Sequence, residues 1–202
     1  MTRAAGGFFR SAPKVSARDR LADLARVHVR AGLLDPETMH RDVASAVAAD
    51  LSGEREPAAT ARTFLAEARA ELLAEQAGWQ HPTDHERLQD ALADIEQQRV
   101  VVLQAVDDHW VADAELRRQA AAGAAIVGVV WFTAPDVWHA VDHGMLELNV
   151  WHADSANVAP GEPLLDLVVS TLADHDLAAH FDEGRVEVAA RWQRPLAAPD
   201  RP

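Results

Sequence analysis

The chain has no cysteine, no tyrosine and a single lysine, Lys14. Without cysteine there is no disulfide framework, no thiolate zinc site and no cysteine nucleophile. No apolar run reaches the roughly 18 residues that a membrane span needs, so no membrane association is expected. The phosphate loop G-x-x-x-x-G-K-[ST], the dinucleotide loop G-x-G-x-x-G and the nucleophile elbow G-x-S-x-G are all missing, which argues against the usual nucleotide-loop enzymes and serine hydrolases. Positive charge is scarce as well. Nineteen Lys and Arg stand against 32 Asp and Glu, a net of −13. Nucleic-acid affinity comes mostly from cationic side chains on phosphates, so nucleic acid is not an expected partner. The other 18 basic residues are arginine and alanine is abundant, the bias that GC-rich bacterial coding produces. These absences leave an acidic domain, read as cytoplasmic.

What is present is ordinary globular material. The 202 residues include 49% hydrophobic and 25% charged side chains, enough for a core that needs no covalent staples. Charge is uneven. Residues 1–20 hold five basic residues and one acid, and the remainder holds 14 basic and 31 acidic residues, a net of −17. In residues 100–183 only Arg117 and Arg118 are basic, against 14 acids, and six of the ten histidines lie there.

Residues 1–15 have no useful periodicity and read as a disordered basic tail. Three helices are expected over 16–78. The first, about 17–31, carries Leu21, Leu24 and His28 on one face and stops at Gly32. The second follows Asp35-Pro36 with Met39, Val43, Val47 and Leu51 in line. The third starts near Pro57 with a stripe of Phe64, Leu65, Ala68 and Leu72, and Gly78 ends it. Residues 79–195 read as an α+β domain. Thr83 and Glu86 form a capping box ahead of a helix with Leu88, Leu92 and Ile95 facing inward. Strands are expected at 100–103, 125–132 and 146–150, and a hairpin at 177–181 and 185–192. Helices are expected at 110–121, from Pro135 to Gly144, and around 164–172. Residues 196–202 read as a flexible C-terminal tail. The fold class is therefore α+β: an N-terminal helical layer followed by a four- to five-stranded mixed or antiparallel sheet with helices on one face.

Three polar groups invite a chemical reading. The first is Asp107, Asp108 and His109 with Asp136, His139 and His143. His139 and His143 are four residues apart, about 5–6 Å on one helical face, a usable spacing for two metal ligands. Carboxylates could complete a nitrogen–oxygen site for a divalent metal such as zinc or manganese. If the strands at 100 and 125 run parallel, both groups end at one sheet edge. The competing reading makes these residues caps and solvated turns, with Asp108 as an N-cap. Trp110 and Trp138 flank that edge and are candidates to wall a pocket, or to serve as core. The second group is His152, Asp154 and Asn157, placed at the opposite sheet edge by strand length, as a ligand loop or a polar turn. The third is Thr83-Asp84-His85-Glu86-Arg87, which suits anion binding or acid–base work at a helix start, or capping and ion pairing alone.

The stretch Trp79-Gln-His-Pro-Thr83-Asp84-His-Glu-Arg87-Leu88 resembles the signature of a bacterial, largely actinobacterial family known as domain of unknown function 6891. Trp79, Thr83, Asp84, Arg87, Leu88 and Ala91 carry the match. Gly128-Val-Val-Trp-Phe132, Asp136, Gly144 and the closing Arg191-Trp192-Gln193-Arg194 fit its layout. The resemblance implies that many relatives carry a cluster of cysteines after the first strand, where this chain has Ala105-Val-Asp-Asp-His-Trp110, a departure that puts in doubt any metal or redox role those cysteines suggest. The resemblance brings no established activity.

The favoured reading is a non-catalytic binding or regulatory module whose acidic, His-rich sheet edge engages a basic protein partner or a small cation. The alternative is a metal-assisted hydrolase or lyase at residues 107–143, with a carboxylate such as Asp108 as base. A third reading makes the histidines among the carboxylates a pH switch.

Overall fold

The computed structural model describes residues 15–196. The two expected tails therefore fall, apart from Val15 and Leu196, outside the described residues. Three helices open the chain: α1 (Ala17–Ala31), α2 (Pro36–Asp50) and α3 (Pro57–Gln76). Local chemistry sets their ends. Ser16 and Asp19 form a capping box, and Gly32 takes φ 62° to stop α1. Asp35 caps α2 by accepting from Glu37 N–H and Thr38 N–H, with Pro36 in the first turn. The helices share a core of Leu21, Ala25, Val29, Val43, Val47, Phe64, Ala68 and Leu72. The buried line of α1 is thus Leu21-Ala25-Val29; Leu24 is partly buried, and His28 turns to the side. Arg26–Glu71 and Arg30–Glu75 join α1 to α3 across water. Such exposed pairs contribute about 1 kcal/mol at most, so apolar burial holds the layer.

The second layer runs α4 (Asp84–Gln97), β1 (Val100–Val106), α5 (His109–Ala121), β2 (Gly128–Thr133), α6 (Ala134–His143), β3 (Met145–His152), α7 (Pro163–Asp174), β4 (Ala179–Asp182) and β5 (Arg185–Ala189). The strands form one mixed sheet in the order β1-β2-β3-β5-β4. β1 and β2 are parallel, and every other pair is antiparallel. Alternation along the strands assigns the faces. Val130, Phe132, Leu146, Leu148, Val150, Val186 and Val188 share the main core with residues of α4, α6 and α7. Val129 and Trp131 point the other way and pack on Ala112 and Leu116 of α5.

Helical cover lies on one face for α4, α6 and α7, as expected, while α5 lies on the other. Two features explain this. A parallel pair needs a crossover, here helical. The segment Val129–Phe132 is apolar on both sides, so both its faces are buried. Gly128 opens β2 where a side chain would collide with the Trp151 carbonyl and with Leu164. The last stretch, 190–196, is a strap running back between the helical layer and the sheet layer. Its Trp192 and α1's Ala31 both join the main core. No helix among the described residues is long and apolar enough to cross a membrane.

Candidate functional site

β1 and β2 are parallel with Val106 beside Thr133. Asp107, Asp108 and His109 therefore leave the sheet at the same edge as the segment that becomes α6. From that edge the two connections diverge, α5 to one face and α6 to the other. The divergence sends His109, on α5, and His139 and His143, on α6, toward different faces of the sheet. Asp108 accepts from the Trp110 N–H at 2.8 Å as the N-cap of α5. Asp136 accepts from both N–H and O–H of Thr133 at 2.7 Å, closing a capping box on α6. His139 and His143 lie ring to ring, 4.5 Å between centroids, on the exposed side of α6. Among the described residues no group of three or more His, Asp or Glu side chains is arranged to hold a metal ion. Trp110 and Trp138 do not wall a common pocket, since α5 and α6 carry them to different faces. Trp138 meets His28 of α1 edge to face at 6.4 Å. The His28 imidazole is held below its ordinary pKa, first by burial, with Asp42 opposing.

The α5 side of this edge keeps a distinctive surface. Ala112 and Leu116 take the buried face of the helix. Trp110, Val111 and Ala114 consequently turn outward. Trp110 is 61% exposed and Val111 40%. A shallow groove of about 470 Å³ runs between them and Leu103 of β1, with Glu115 and Arg118 on its rim. His109 packs against Trp110 at 4.4 Å. Asp107 and Asp108, just ahead of α5, stand exposed. The nearby arginines are already engaged, Arg117 with Asp113 and Arg118 with Glu115. Among the described residues β1 is an edge strand, with no strand paired to its outer side. Sequence reasoning found the aspartates and Trp110 but missed Val111 and Leu103. The signal for Val111 was available: once Ala112 and Leu116 define the buried stripe, residues 110, 111 and 114 fall outside it.

The Trp79–Arg87 block fastens the strap. Thr83 is 1% exposed; its hydroxyl accepts from Glu86 N–H at 3.2 Å and donates to the Gln193 carbonyl at 3.2 Å. Asp84 accepts from the Arg191 N–H at 3.1 Å and from the Arg87 guanidinium at 3.0 Å. Glu86 accepts from the Thr83 N–H at 2.7 Å and meets His81 at 2.7 Å. The Thr83 N–H first, then His81, holds the Glu86 carboxyl below the usual carboxylate range. Trp79 packs against the core of the helical layer. Further along, the Gln76 amide pairs with both backbone groups of Leu196, at 3.0 and 3.4 Å. Trp192 Nε1 donates to the Ala31 carbonyl at 3.2 Å, and Arg194 donates to the Gly32 carbonyl. These two satisfy carbonyls that the end of α1 leaves open.

His152 sits beside Gly128, at the far edge, as strand length required. It meets Glu162 at 2.8 Å, and Asp154 accepts from the Ala156 N–H in a local turn. Three other histidines also meet carboxylates: His81 with Glu86, His175 with Asp94 and His180 with Glu187.

Comparison with known proteins places residues 14–196 against a family described as Domain of unknown function (DUF6891). No curated protein and no solved structure matches the chain. The match spans nearly the whole chain, and the chain belongs to the family Domain of unknown function (DUF6891).

Proposed function

We propose that the chain is a non-catalytic binding module that engages a basic protein partner at the acidic, His-bearing sheet edge where β1 meets α5. The observation that carries this reading is the exposed Trp110 beside Asp107 and Asp108. A tryptophan largely in water is an expensive feature for an isolated domain and a favoured anchor of interfaces. Asp107 and Asp108 beside it are exposed and the neighbouring arginines are ion-paired, so the corner suits a cationic partner with an apolar anchor. The electrostatic part steers association and sets its salt dependence. The metal-assisted hydrolase or lyase reading has less support, because among the described residues no group of three or more His, Asp or Glu side chains is arranged to hold a metal ion.

The test is a pull-down at two salt concentrations with the wild-type chain, Trp110→Ser, and the double variant Asp107→Asn, Asp108→Asn. Asparagine keeps the α5 cap while removing both charges. The expected result is a basic protein held by the wild type at low salt, released at high salt and lost from both variants. A set of bound proteins that is identical for all three chains overturns the reading.

A further inference from the structure

A second cavity lies on the other face of the sheet, away from Trp110. It is a half-open cleft of about 380 Å³ where β1 and β2 end, beside α4 and the strap. Its position follows from the topology. Ligands of open sheets bind outside the carboxyl ends of parallel strands, at the point where neighbouring connections depart to opposite faces. β1 and β2 are this chain's parallel pair, and α5 and α6 depart to opposite faces. The backbone of β1 is irregular where it borders the cleft. The register of β1 slips between Leu103 and Val106, and Ala105 takes φ 52°.

The walls have a consistent chemistry. Phe132 and Trp192 supply apolar surface, with rings 6.2 Å apart edge to face. His85 stands edge-on to Trp192 at 4.8 Å. The side-chain amides of Gln89 and Gln104 pair with each other at 2.9 and 3.1 Å across the mouth. Arg194 donates through Nη1 to the carbonyls of Gly32 and Ala31. Among the described residues no carboxylate pairs with it. Its Nε and Nη2 edge, the edge that grips a carboxylate or phosphate in two parallel bonds, is therefore unoccupied. In a chain with net charge −13, one uncompensated arginine facing an aromatic-walled cavity is a specific feature.

We propose that this cavity is a binding site for a small planar organic anion, its carboxylate on Arg194, its ring beside Trp192 and His85, and its far polar end on the Gln89–Gln104 amides. The reading is independent of the partner surface on α5. The imidazole of His85 fits the assignment. Burial first, and Arg194 second, lower its pKa to about 4, with Glu86 opposing. A neutral ring leaves Arg194 as the cation for an anion to meet. An anion bound there also screens Arg194, so the His85 pKa rises on binding.

The experiment is a titration of the full chain with 4-carbamoylbenzoate and benzoate, and with the uncharged terephthalamide and inorganic phosphate as comparisons. The His85 ring signals and the Trp192 indole signal are followed by NMR. The expected result is saturable binding of the carboxylates, an upward shift of the His85 pKa, and no effect of terephthalamide. Affinity falls about tenfold or more in Arg194→Met, the loss of a charge-assisted pair. Because Arg194 also caps α1, Gln104→Leu is measured beside it: Gln104 is exposed, and its replacement weakens 4-carbamoylbenzoate but not benzoate. Binding of phosphate alone overturns the planar-anion assignment. The site itself is overturned by His85 and Trp192 signals that stay fixed with both carboxylates, or by equal binding of terephthalamide.

Discussion

His85 carries the clearest titration consequence in the chain. Its pKa near 4 in the folded state lies below the 6.5 of a free histidine, through burial and Arg194. Between those values the unfolded chain binds a proton that the folded chain refuses. Stability therefore rises with pH across that window, and is lost as pH falls from about 6.5 toward 4. Glu86 and Glu162, both held low by hydrogen bonds, lose their contribution only further into acid. Melting temperature measured from pH 4 to 7 should thus slope upward in the wild type and lie flatter in His85→Gln; equal slopes contradict the assignment. Gly128 makes a steric prediction. A Cβ there collides with the Trp151 carbonyl, so Gly128→Ala should cost about 1–3 kcal/mol, read as a lower denaturant midpoint with unchanged slope.

Elements explain what was and was not legible. Thr83 and Glu86 announced α4, Asp35-Pro36 announced α2, and Gly32 and Gly144 marked helix ends, because caps are local chemistry. The alternation Leu146-Leu148-Val150 marked β3 for the same reason. The pattern Thr133-Ala-Pro-Asp136 was equally local: it is a capping box, and it engages the Asp136 that the metal reading needed. The faces taken by α5 and α6 were not legible. They depend on which side of the sheet each crossover covers, a long-range property that no spacing in residues 100–143 encodes. The strap was half legible. Arg191-Trp192-Gln193-Arg194 stood out by resemblance, but its role needed Thr83, Asp84 and Gln76 brought to it from far along the chain. That role is testable at the same scale. Thr83→Ala removes a helix cap and a strap anchor together, a loss of about 1–2 kcal/mol, and should raise amide exchange at Arg191 and Gln193. Thr83→Ser keeps both bonds and should restore protection. Exchange in the strap that ignores both substitutions contradicts the clamp.

At the scale of the whole molecule, the uneven charge also divides by use. Many carboxylates are engaged by the chain itself: Asp35, Asp108 and Asp136 on caps, Asp84 on the strap, Glu71 and Glu75 on α1. Asp107 and Asp108 face water beside the large exposed apolar pair, Trp110 and Val111. The opposite arrangement holds at the strap, where no carboxylate among the described residues pairs with Arg194. One molecule thus offers a negative, apolar-anchored corner on one face of the sheet and an arginine-bearing, aromatic-walled cleft on the other. The corner is the central claim. Its most direct test is an NMR titration of the full chain with a synthetic peptide alternating arginine and leucine. The Trp110 indole is identified by its loss in Trp110→Ser. The account predicts saturable shifts of that indole and of the amides of residues 107–111, shrinking as salt is raised. A Trp110 indole that stays fixed through the titration, whether or not the peptide binds elsewhere, contradicts it.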